Sequence, residues 1–394
     1  MQRFYYTIRN IFRETDKLLL FLCVIASAFG VLMVASATSR LAAEGEFLSR
    51  DASTMLMAVL LGIFLAVAIS FFDYNLIFKM FPLIGAVCVF LMFLTLAVGV
   101  GPDNRPDAKT WLVLGATGLY FQPSELLKIG FIITFGMHIE LVQDRINQFR
   151  HVILLGVHAL VPIGLVAVSG DLGSALVFAV IFVVMIFCAG ISLRYFLIGG
   201  ALLLGSLPLV WNFVLGDIQR NRFLALFYPE LYSDIVFQQQ AGMTAIRAGG
   251  LTGQGLFNGA YTQAGVVPES ENDMIFSAFG EELGLLGCLA VIAVLVGISA
   301  RLIQNGKRSR NNAAALMCYG MAAMISGQAI INIGMCLMLL PVIGITLPFF
   351  SAGGSSNLCI YIGIGLMLSI YRFDKEQGIV NFRYSRINTP FAAD

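Results

Sequence analysis

The sequence has little charge. Only 12% of its 394 residues are Asp, Glu, Lys or Arg, whereas a typical soluble domain has roughly 25% charged residues. With 58% hydrophobic residues, the composition argues against a chain of soluble domains. The formal net charge is +1, which gives no reason to expect a nucleic-acid partner.

The cysteines and histidines do not form a recognisable metal-site or disulfide pattern in the sequence. All seven cysteines fall inside apolar runs, and none has the CxxC spacing of a zinc site or belongs to a disulfide framework. They are predicted to be small buried hydrophobic residues. The three histidines, His138, His151 and His158, lack the spacing of metal ligands. The metal ligands, if the function requires any, are therefore unknown from the sequence.

Long apolar runs dominate the chain. Several can cross a hydrocarbon core of roughly 30 Å as helices, and we predict an all-α polytopic membrane protein with about ten transmembrane helices in a single membrane domain. The first run follows a basic segment and is not closed by a cleavage site, so we expect it to be retained. The predicted windows are 18–37, 54–72, 78–100, 124–139, 152–168, 174–190, 195–215, 275–300, 313–340 and 356–371.

The distribution of basic residues predicts the orientation. With ten spans and a cytoplasmic N-terminus, 16 of the 24 Lys and Arg residues lie on the cytoplasmic side, as the positive-inside rule requires. The predicted cytoplasmic ends are residues 1–17 and the tail 372–394. Residues 216–274, between the seventh and eighth spans, form one large extracytoplasmic loop.

This loop contains a predicted amphipathic helix at 238–248 and a glycine-rich segment, GGLTGQGLFNG. Backbone amides in glycine-rich turns, together with Arg220, Arg222 and Arg247, can hold phosphate. Flexible packing of the loop on the membrane explains the same composition. The segment follows no strand and lacks GK[ST], which excludes a dinucleotide fold and a P-loop.

Five carboxylates lie where the loop meets the eighth span, in VVPESENDMIFSAFGEELG. Asp273 precedes apolar residues, and partial desolvation there can raise its pKa towards the range of a general base. Glu269 and Glu271 are expected to be solvated loop charges. Glu281 and Glu282 are explained equally well as acids favoured by the N-terminal dipole of a helix. Asp273 is thus the leading catalytic candidate.

Three ionisable residues fall in or near the hydrocarbon region. Glu125 and Lys128 are three residues apart on one helical face, and Asp171 begins the sixth span. Lys128 is predicted to pair with Asp171 or with Glu125. The cluster is either an ion pair that joins helices or the lining of a polar cavity that admits a charged headgroup.

Pro341 and Pro348 interrupt the apolar sequence before the tenth span, which begins at the glycines and serines of 353–356. Irregular backbone at membrane depth is tolerated where it lines a cavity or is buried in protein. We therefore expect this segment to form a wall of the same site.

Six ordered blocks together resemble the SEDS family (shape, elongation, division and sporulation), with a leaning towards its RodA type because the chain is short at both ends. The chain departs from the family pattern at four places. The family's usual Gln-Pro is Ser169-Gly170, its GYQ reads Val236-Phe237-Gln238, the second glutamine of that motif is Ala241, and the Tyr of its SYGGSS is Ala352. The blocks are Trp111 with FQPSELLK, DLGSA, RFLALFYPE, AIRAGGLTGQGL, VPESENDMIFSAFGEELGLLG and NIGMCLMLLPVIGITLPFFSAGGSSN.

The resemblance implies a peptidoglycan glycosyltransferase of the bacterial cytoplasmic membrane. It would polymerise lipid II on a nascent glycan strand, among membrane lipids, with a class B penicillin-binding protein as partner. It would use Asp273 as the general base and a divalent cation, Mg²⁺ or Mn²⁺. The implied buried polar cluster is Glu125, Lys128 and Asp171, and the candidate substrate-binding residues are Arg220, Arg222, Gln238, Arg247, Trp111, Ser355 and Ser356.

Two other functions are compatible with parts of the sequence. A transporter or flippase of a lipid-linked cell-wall precursor would also need a polar intramembrane cavity and broken helices. It would not need an acid at the outer rim. A scaffold for the crosslinking enzyme would need no catalytic residue, and Asp273 would then be dispensable.

Overall fold

A computed structural model describes residues 15–42, 48–101, 108–115 and 119–387. This part of the chain is mainly helical, with one short antiparallel hairpin. In chain order the elements are α1 (Lys17–Ala37), α2 (Arg50–Ser70), α3 (Tyr74–Lys79), α4 (Phe81–Val98), β1 (Leu112–Leu114), β2 (Leu119–Phe121), α5 (Pro123–Val142), α6 (Phe149–Val168), α7 (Leu172–Cys188), α8 (Leu193–Leu209), α9 (Asp217–Phe227), α10 (Ser233–Gly249), α11 (Ala260–Gln263), α12 (Ile275–Arg308), α13 (Asn312–Cys336) and α14 (Gly354–Ile387).

A helix occupies each of the ten predicted windows, and the prediction of an all-α polytopic membrane protein is confirmed. Among the described residues, eight helices are long and apolar enough to cross a membrane. The other two windows contain α7, which has 17 residues, and α5, which carries Glu125, Lys128 and Glu140. Whether these two also cross the membrane, as ten spans require, stays a prediction.

Side-chain caps and proline fix where several helices begin. Asp16, Ser49, Asp171 and Asn311 each accept a hydrogen bond from a backbone N–H of the first turn of α1, α2, α7 and α13. Such caps satisfy donors that have no partner within the helix. Pro123 lies at the start of α5, where its missing N–H costs nothing.

The bundle is built around α13, which packs against α12, α7 and α5 and has most of its residues buried. On another side, α14 packs along α2. A Cβ at Gly30 of α1 would overlap the backbone of Phe349 and come within 2.7 Å of Phe350 Cα. Glycine there lets α1 lie directly against the irregular segment 337–353 that joins α13 to α14.

The two ends of α12 have different surroundings. Near its C-terminal end, Arg301 Nε donates to Asp16 Oδ2 at 2.8 Å and Asn305 Nδ2 donates to the same oxygen at 2.7 Å, which fastens the start of α1. Asp273 precedes the opposite end of α12. The basic cluster at 301–310 and the candidate catalytic residue therefore lie at opposite ends of the bundle.

The predicted loop 216–274 is folded, with three helices, α9, α10 and α11. The helix predicted at 238–248 is confirmed and runs further, from Ser233 to Gly249. Helix α14 continues to Ile387, through most of the predicted tail 372–394. Residues 1–14 of the predicted N-terminal segment and residues 388–394 lie outside the described residues.

Candidate functional site

Asp273 lies in a tight turn immediately before α12. The turn forms because the N–H groups of Asn272 and Met274 both donate to the backbone oxygen of Glu269, whose φ is 55°. Only 9% of the Asp273 surface is exposed. Burial, and then the charge of Glu269, raise the pKa of Asp273 to about 7, although Arg222 and Gln238 oppose the shift. This places the carboxylate in the range suited to a general base at neutral pH.

Helix α10 places Gln238 directly beside this carboxylate. Gln238 Nε2 donates to Asp273 Oδ1 at 3.1 Å and contacts the backbone oxygen of Pro268 at 3.4 Å. The structure therefore brings together Asp273 and Gln238, two of the residues selected from the sequence.

The irregular segment 337–353 covers the other side of Asp273. A Cβ on Gly344 would lie 4.0 Å from Asp273 Oδ2, so the backbone passes close to the carboxylate. Ser351 Oγ donates to the backbone oxygen of Asn272 at 2.6 Å, and Ala352 N donates to that of Glu271 at 2.8 Å. The segment thus forms a wall of the site, as its prolines led us to expect.

A cavity of about 760 Å³ lies next to this wall. Its lining is mostly apolar and comes from α7, the end of α8 with the residues just after it, α9 and residues 340–343. Arg222 lines the cavity, donates through Nη1 to the backbone oxygen of Val342 at 3.0 Å and is close enough to Asp273 to lower its pKa. Arg222 therefore stands between the apolar cavity and the carboxylate.

The other predicted substrate-binding residues of the loop lie elsewhere. Arg220 Nη2 donates to the backbone oxygen of Asn212 at 2.9 Å, and its Nη1 lies 3.7 Å from Asp217. Arg247 is exposed, nine residues after Gln238 on α10, or about 13 Å along the helix at 1.5 Å per residue. The structure does not bring these two arginines to Asp273.

Trp111, Ser355 and Ser356 also lie away from the carboxylate. The Trp111 ring packs against Tyr120 with ring centroids 5.7 Å apart, beside the hairpin of β1 and β2. Ser355 Oγ accepts from Gln122 N at 3.4 Å, and Ser356 Oγ donates to Glu125 Oε2 at 3.2 Å. The two serines belong to the intramembrane cluster.

In this cluster Lys128 pairs with Glu125, one of its two predicted partners. Lys128 Nζ lies 2.8 Å from Glu125 Oε1, and both side chains are buried. Asp171 instead accepts from Gln122 Nε2 at 2.9 Å, from Ser124 Oγ at 3.5 Å and from the N–H of Ser174 as the cap of α7.

A short stretch of backbone runs between the cluster and Asp273. Thr346 Oγ1 lies 3.5 Å from Ser356 Oγ, while Gly344, two residues earlier, faces the Asp273 carboxylate. The segment 344–346 therefore touches both groups of polar residues.

Glu281 and Glu282 hold the loop onto α12. Glu281 accepts from Tyr261 N at 2.7 Å, and from Thr262 N at 2.8 Å and Thr262 Oγ1 at 2.6 Å. Glu282 accepts from Ser36 Oγ at 2.6 Å, Phe257 N at 3.1 Å and Gln263 Nε2 at 3.0 Å. Both carboxylates are fully buried. They anchor backbone and side chains of the loop, a role the sequence did not reveal.

The glycine-rich segment forms a backbone joint with α12. The helix is broken at Gly284, where φ is 67° and ψ is −163°. The oxygens of Glu281 and Glu282 accept from Gln254 N and Gly255 N, each at 3.0 Å, and Leu285 N donates to the oxygen of Gly250 at 2.9 Å.

The amides of residues 253–255 are all used within this joint, since Gly253 N donates to Gly249 O at 2.8 Å. A phosphate site on these amides, one of the two interpretations of the composition, is therefore not supported. The other interpretation, flexible packing of the loop on the membrane, stays a prediction.

Comparisons with known proteins identify the family. The family model described as "cell cycle protein", and named for FtsW, RodA and SpoVE, matches residues 16–376. The chain belongs to this family. The SEDS resemblance predicted from the six sequence blocks is thereby confirmed.

Curated members of the family cover most of the chain. "Probable peptidoglycan glycosyltransferase FtsW" of Geobacter sulfurreducens is 31% identical over 367 residues, which are 90% of this chain and 94% of the relative. "Peptidoglycan glycosyltransferase MrdB" of Escherichia coli K12 is 30% identical over 299 residues, 75% of this chain and 78% of the relative.

Solved structures of the family share the fold. A chain from a study of the structural coordination of polymerization and crosslinking by a peptidoglycan synthase complex has a TM-score of 0.77 and 29% identity, over 91% of this chain and 98% of its own. The crystal structure of Thermus thermophilus rod shape determining protein RodA has a TM-score of 0.67 and 25% identity, over 91% and 97%. Relatives of both FtsW and RodA names match, so the leaning towards RodA stays a prediction.

The described residues of this SEDS protein contain no group of three or more His, Cys, Asp or Glu side chains that could hold a metal ion. Mg²⁺ is often bound by one or two carboxylates together with substrate phosphates. Asp273 and Glu269 fit that kind of shared site, but not a metal site built from protein ligands alone.

Proposed function

We propose that the chain is a peptidoglycan glycosyltransferase that polymerises lipid II into β-1,4-linked glycan strands, with Asp273 as its general base. The observation that carries the assignment is the environment of this carboxylate. It is buried behind a wall of the apolar cavity, Gln238 donates a hydrogen bond to it, and its pKa is raised to about 7 although the nearby Arg222 lowers it.

The reaction needs one base. The donor sugar is α-linked to a diphosphate and the product linkage is β, so the anomeric carbon inverts in a single displacement. The acceptor 4-hydroxyl oxygen bonds to the donor C1 while the bond from C1 to the diphosphate oxygen breaks. The bonding pair leaves with the diphosphate, and Asp273 takes the hydroxyl proton. A positioned base contributes roughly 10²–10⁴-fold to such a step.

The surroundings of Asp273 supply the other requirements. The apolar cavity suits the hydrocarbon chain of the lipid-linked donor, and Arg222 at its polar edge can stabilise the departing diphosphate through charge-assisted hydrogen bonds. Gln238, whose amide already donates to Asp273, orients the carboxylate towards the acceptor.

We also propose that a divalent cation, Mg²⁺ or Mn²⁺, accompanies the donor. Asp273 and the exposed Glu269 are the carboxylates of this chain that would meet it. Such an ion would neutralise negative charge on the leaving diphosphate.

The orientation follows from the same assignment. Asp273 would face the outside of the cytoplasmic membrane, and the opposite end of α12, with Arg301 and Arg308, would face the cytoplasm together with both termini. A class B penicillin-binding protein is the proposed partner. The support for it is the likeness to a chain of the peptidoglycan synthase complex.

The deciding experiment uses purified protein and fluorescent lipid II. Wild type, Asp273→Asn, and the control Asp234→Asn, which changes an exposed acid on α10, are assayed with and without chelator. Wild type and the control should make glycan, and Asp273→Asn should fold but lose nearly all polymerisation, by roughly 10²–10⁴-fold. Normal turnover by Asp273→Asn would show that Asp273 is not the general base.

The same samples distinguish a transporter. The buried Lys128–Glu125 pair is a feature that a translocation pathway would share. Translocation of labelled lipid across vesicles, with no glycan product from the wild type, would favour that alternative.

A further inference from the structure

Asn332, on α13, binds two backbone oxygens of the site at once. Its side chain is fully buried, and its Nδ2 donates to the oxygen of Asp273 at 2.8 Å and to that of Ile345 at 2.7 Å. A carboxamide nitrogen has two N–H donors, and both are used here. Asn332 therefore ties the peptide of Asp273 to the segment that follows α13 without contacting the carboxylate.

These two hydrogen bonds fix opposite sides of the carboxylate. Ile345 follows Gly344, whose backbone passes beside Asp273 Oδ2. The same amide thus sets both the backbone from which the carboxylate extends and the wall that it faces.

Gln239 makes the corresponding connection for α10. Its buried Nε2 donates to the oxygens of Met335 at 2.7 Å and Leu340 at 2.8 Å, at the end of α13 and just beyond it. The preceding residue is Gln238, whose amide reaches Asp273. The end of α13 therefore anchors both the base and its hydrogen-bond donor.

We propose that Asn332 and Gln239 are positioning residues of the glycosyl transfer reaction. Together they hold Asp273, Gln238 and the segment 337–353 in one geometry, through contacts with the protein and not with substrate. The inference rests on the proposed function because it takes Asp273 as the base. A misplacement of about 1 Å at a reacting group can cost roughly 10²-fold in rate.

The test compares Asn332→Ala and Asn332→Ser with Gln328→Ala in the full-length purified protein. Gln328 is a matched control because it lies one turn earlier on α13, is equally buried, and its Oε1 has no hydrogen-bond partner among the described residues. Glycan formation is measured against lipid II concentration and pH, and the thermal unfolding midpoint is measured for each variant.

Asn332→Ala should lower kcat by roughly 10²-fold. Its thermal midpoint should also fall below that of Gln328→Ala, because two buried backbone oxygens lose their donor. Its KM should stay within about twofold, because the lost contacts are not contacts with substrate. Asn332→Ser keeps one donor and should be intermediate.

Equal activity losses in Asn332→Ala and Gln328→Ala would overturn the inference, as would a raised KM with unchanged kcat. Should Asn332→Ala fail to fold, Gln239→Met replaces it in the test, because Met has a similar size to Gln but no hydrogen-bond donor. Its kcat and KM are compared with those of Gln328→Ala in the same way. Full turnover by Asp273→Asn would instead overturn the proposed function, so the two failures are distinguishable.

Discussion

The side-chain amide of Gln238 donates a hydrogen bond to the carboxylate of Asp273, with 3.1 Å between Nε2 and Oδ1. A donor stabilises the ionised form of an acid and so lowers its pKa. Burial and Glu269 act in the opposite direction and prevail, which leaves the pKa of Asp273 at about 7. The protonation state of the proposed base is therefore set by a balance that single substitutions can shift.

The first prediction concerns pH. A base works in its ionised form, so polymerisation should fall as the pH drops below about 7. Gln238→Leu removes a group that lowers the pKa of Asp273 and should move this acidic limb to higher pH. Glu269→Gln removes a negative neighbour and should move it to lower pH. Initial rates of glycan formation between pH 5 and 9 measure both shifts, and shifts in one common direction would contradict the explanation.

The two neighbouring arginines should differ in importance. Arg222 lies between the apolar cavity and Asp273, whereas the guanidinium of Arg220 contacts Asn212 and Asp217. Arg222→Ala should lower kcat by roughly 10²–10³-fold, as expected for the loss of one electrostatic donor at a developing charge. Arg220→Ala should lose much less activity in the same lipid II assay. A larger loss of activity in Arg220→Ala than in Arg222→Ala would place the diphosphate leaving group on the Arg220 side of α9.

The Lys128–Glu125 pair should be sensitive to loss of either partner. Removing one member of a buried ion pair leaves an uncompensated charge and typically costs about 3–5 kcal/mol. Lys128→Met and Glu125→Gln should each lower the thermal unfolding midpoint, whereas the double variant should lose less than the sum of the two. Additive losses would show that the two residues do not act as a pair.

The joint between the loop and α12 should require glycine at position 253. Gly253 has a φ of +81°, and a Cβ there would overlap the backbone oxygen of Glu282. Gly253→Ala should therefore cost at least about 1–2 kcal/mol of backbone strain, before the overlap is counted. Gly156→Ala is the control, since a Cβ at Gly156 meets nothing within 4 Å. Thermal unfolding of the two variants is compared, and equal midpoints would contradict the joint.

Much of the fold was predictable because lipid imposes strong patterns. Apolar windows marked the positions of ten helices, and Pro341 and Pro348 marked the irregular segment that covers Asp273. Asp273 itself was conspicuous as an acid at the edge of an apolar helix.

The remaining details of the site depend on contacts that no local pattern encodes. Which of Arg220 and Arg222 lies near Asp273 depends on how α9 is placed in the fold. Asn332 binds the backbone of Asp273, 59 positions earlier in the chain. Gln328 and Asn332, four residues apart in an apolar helix, were the available signal for a polar role on α13. Nothing in their spacing distinguishes the residue that reaches the site from the one that does not.

The break at Gly284 has a consequence for which loop residues can be substituted. Its hydrogen bonds join main-chain groups of the loop to main-chain groups of α12, so the identities of most outward-pointing side chains are irrelevant to them. Substitutions on the exterior of this loop should accordingly leave the joint intact. Asp273, which precedes the first turn of the same helix, should keep its position in such variants.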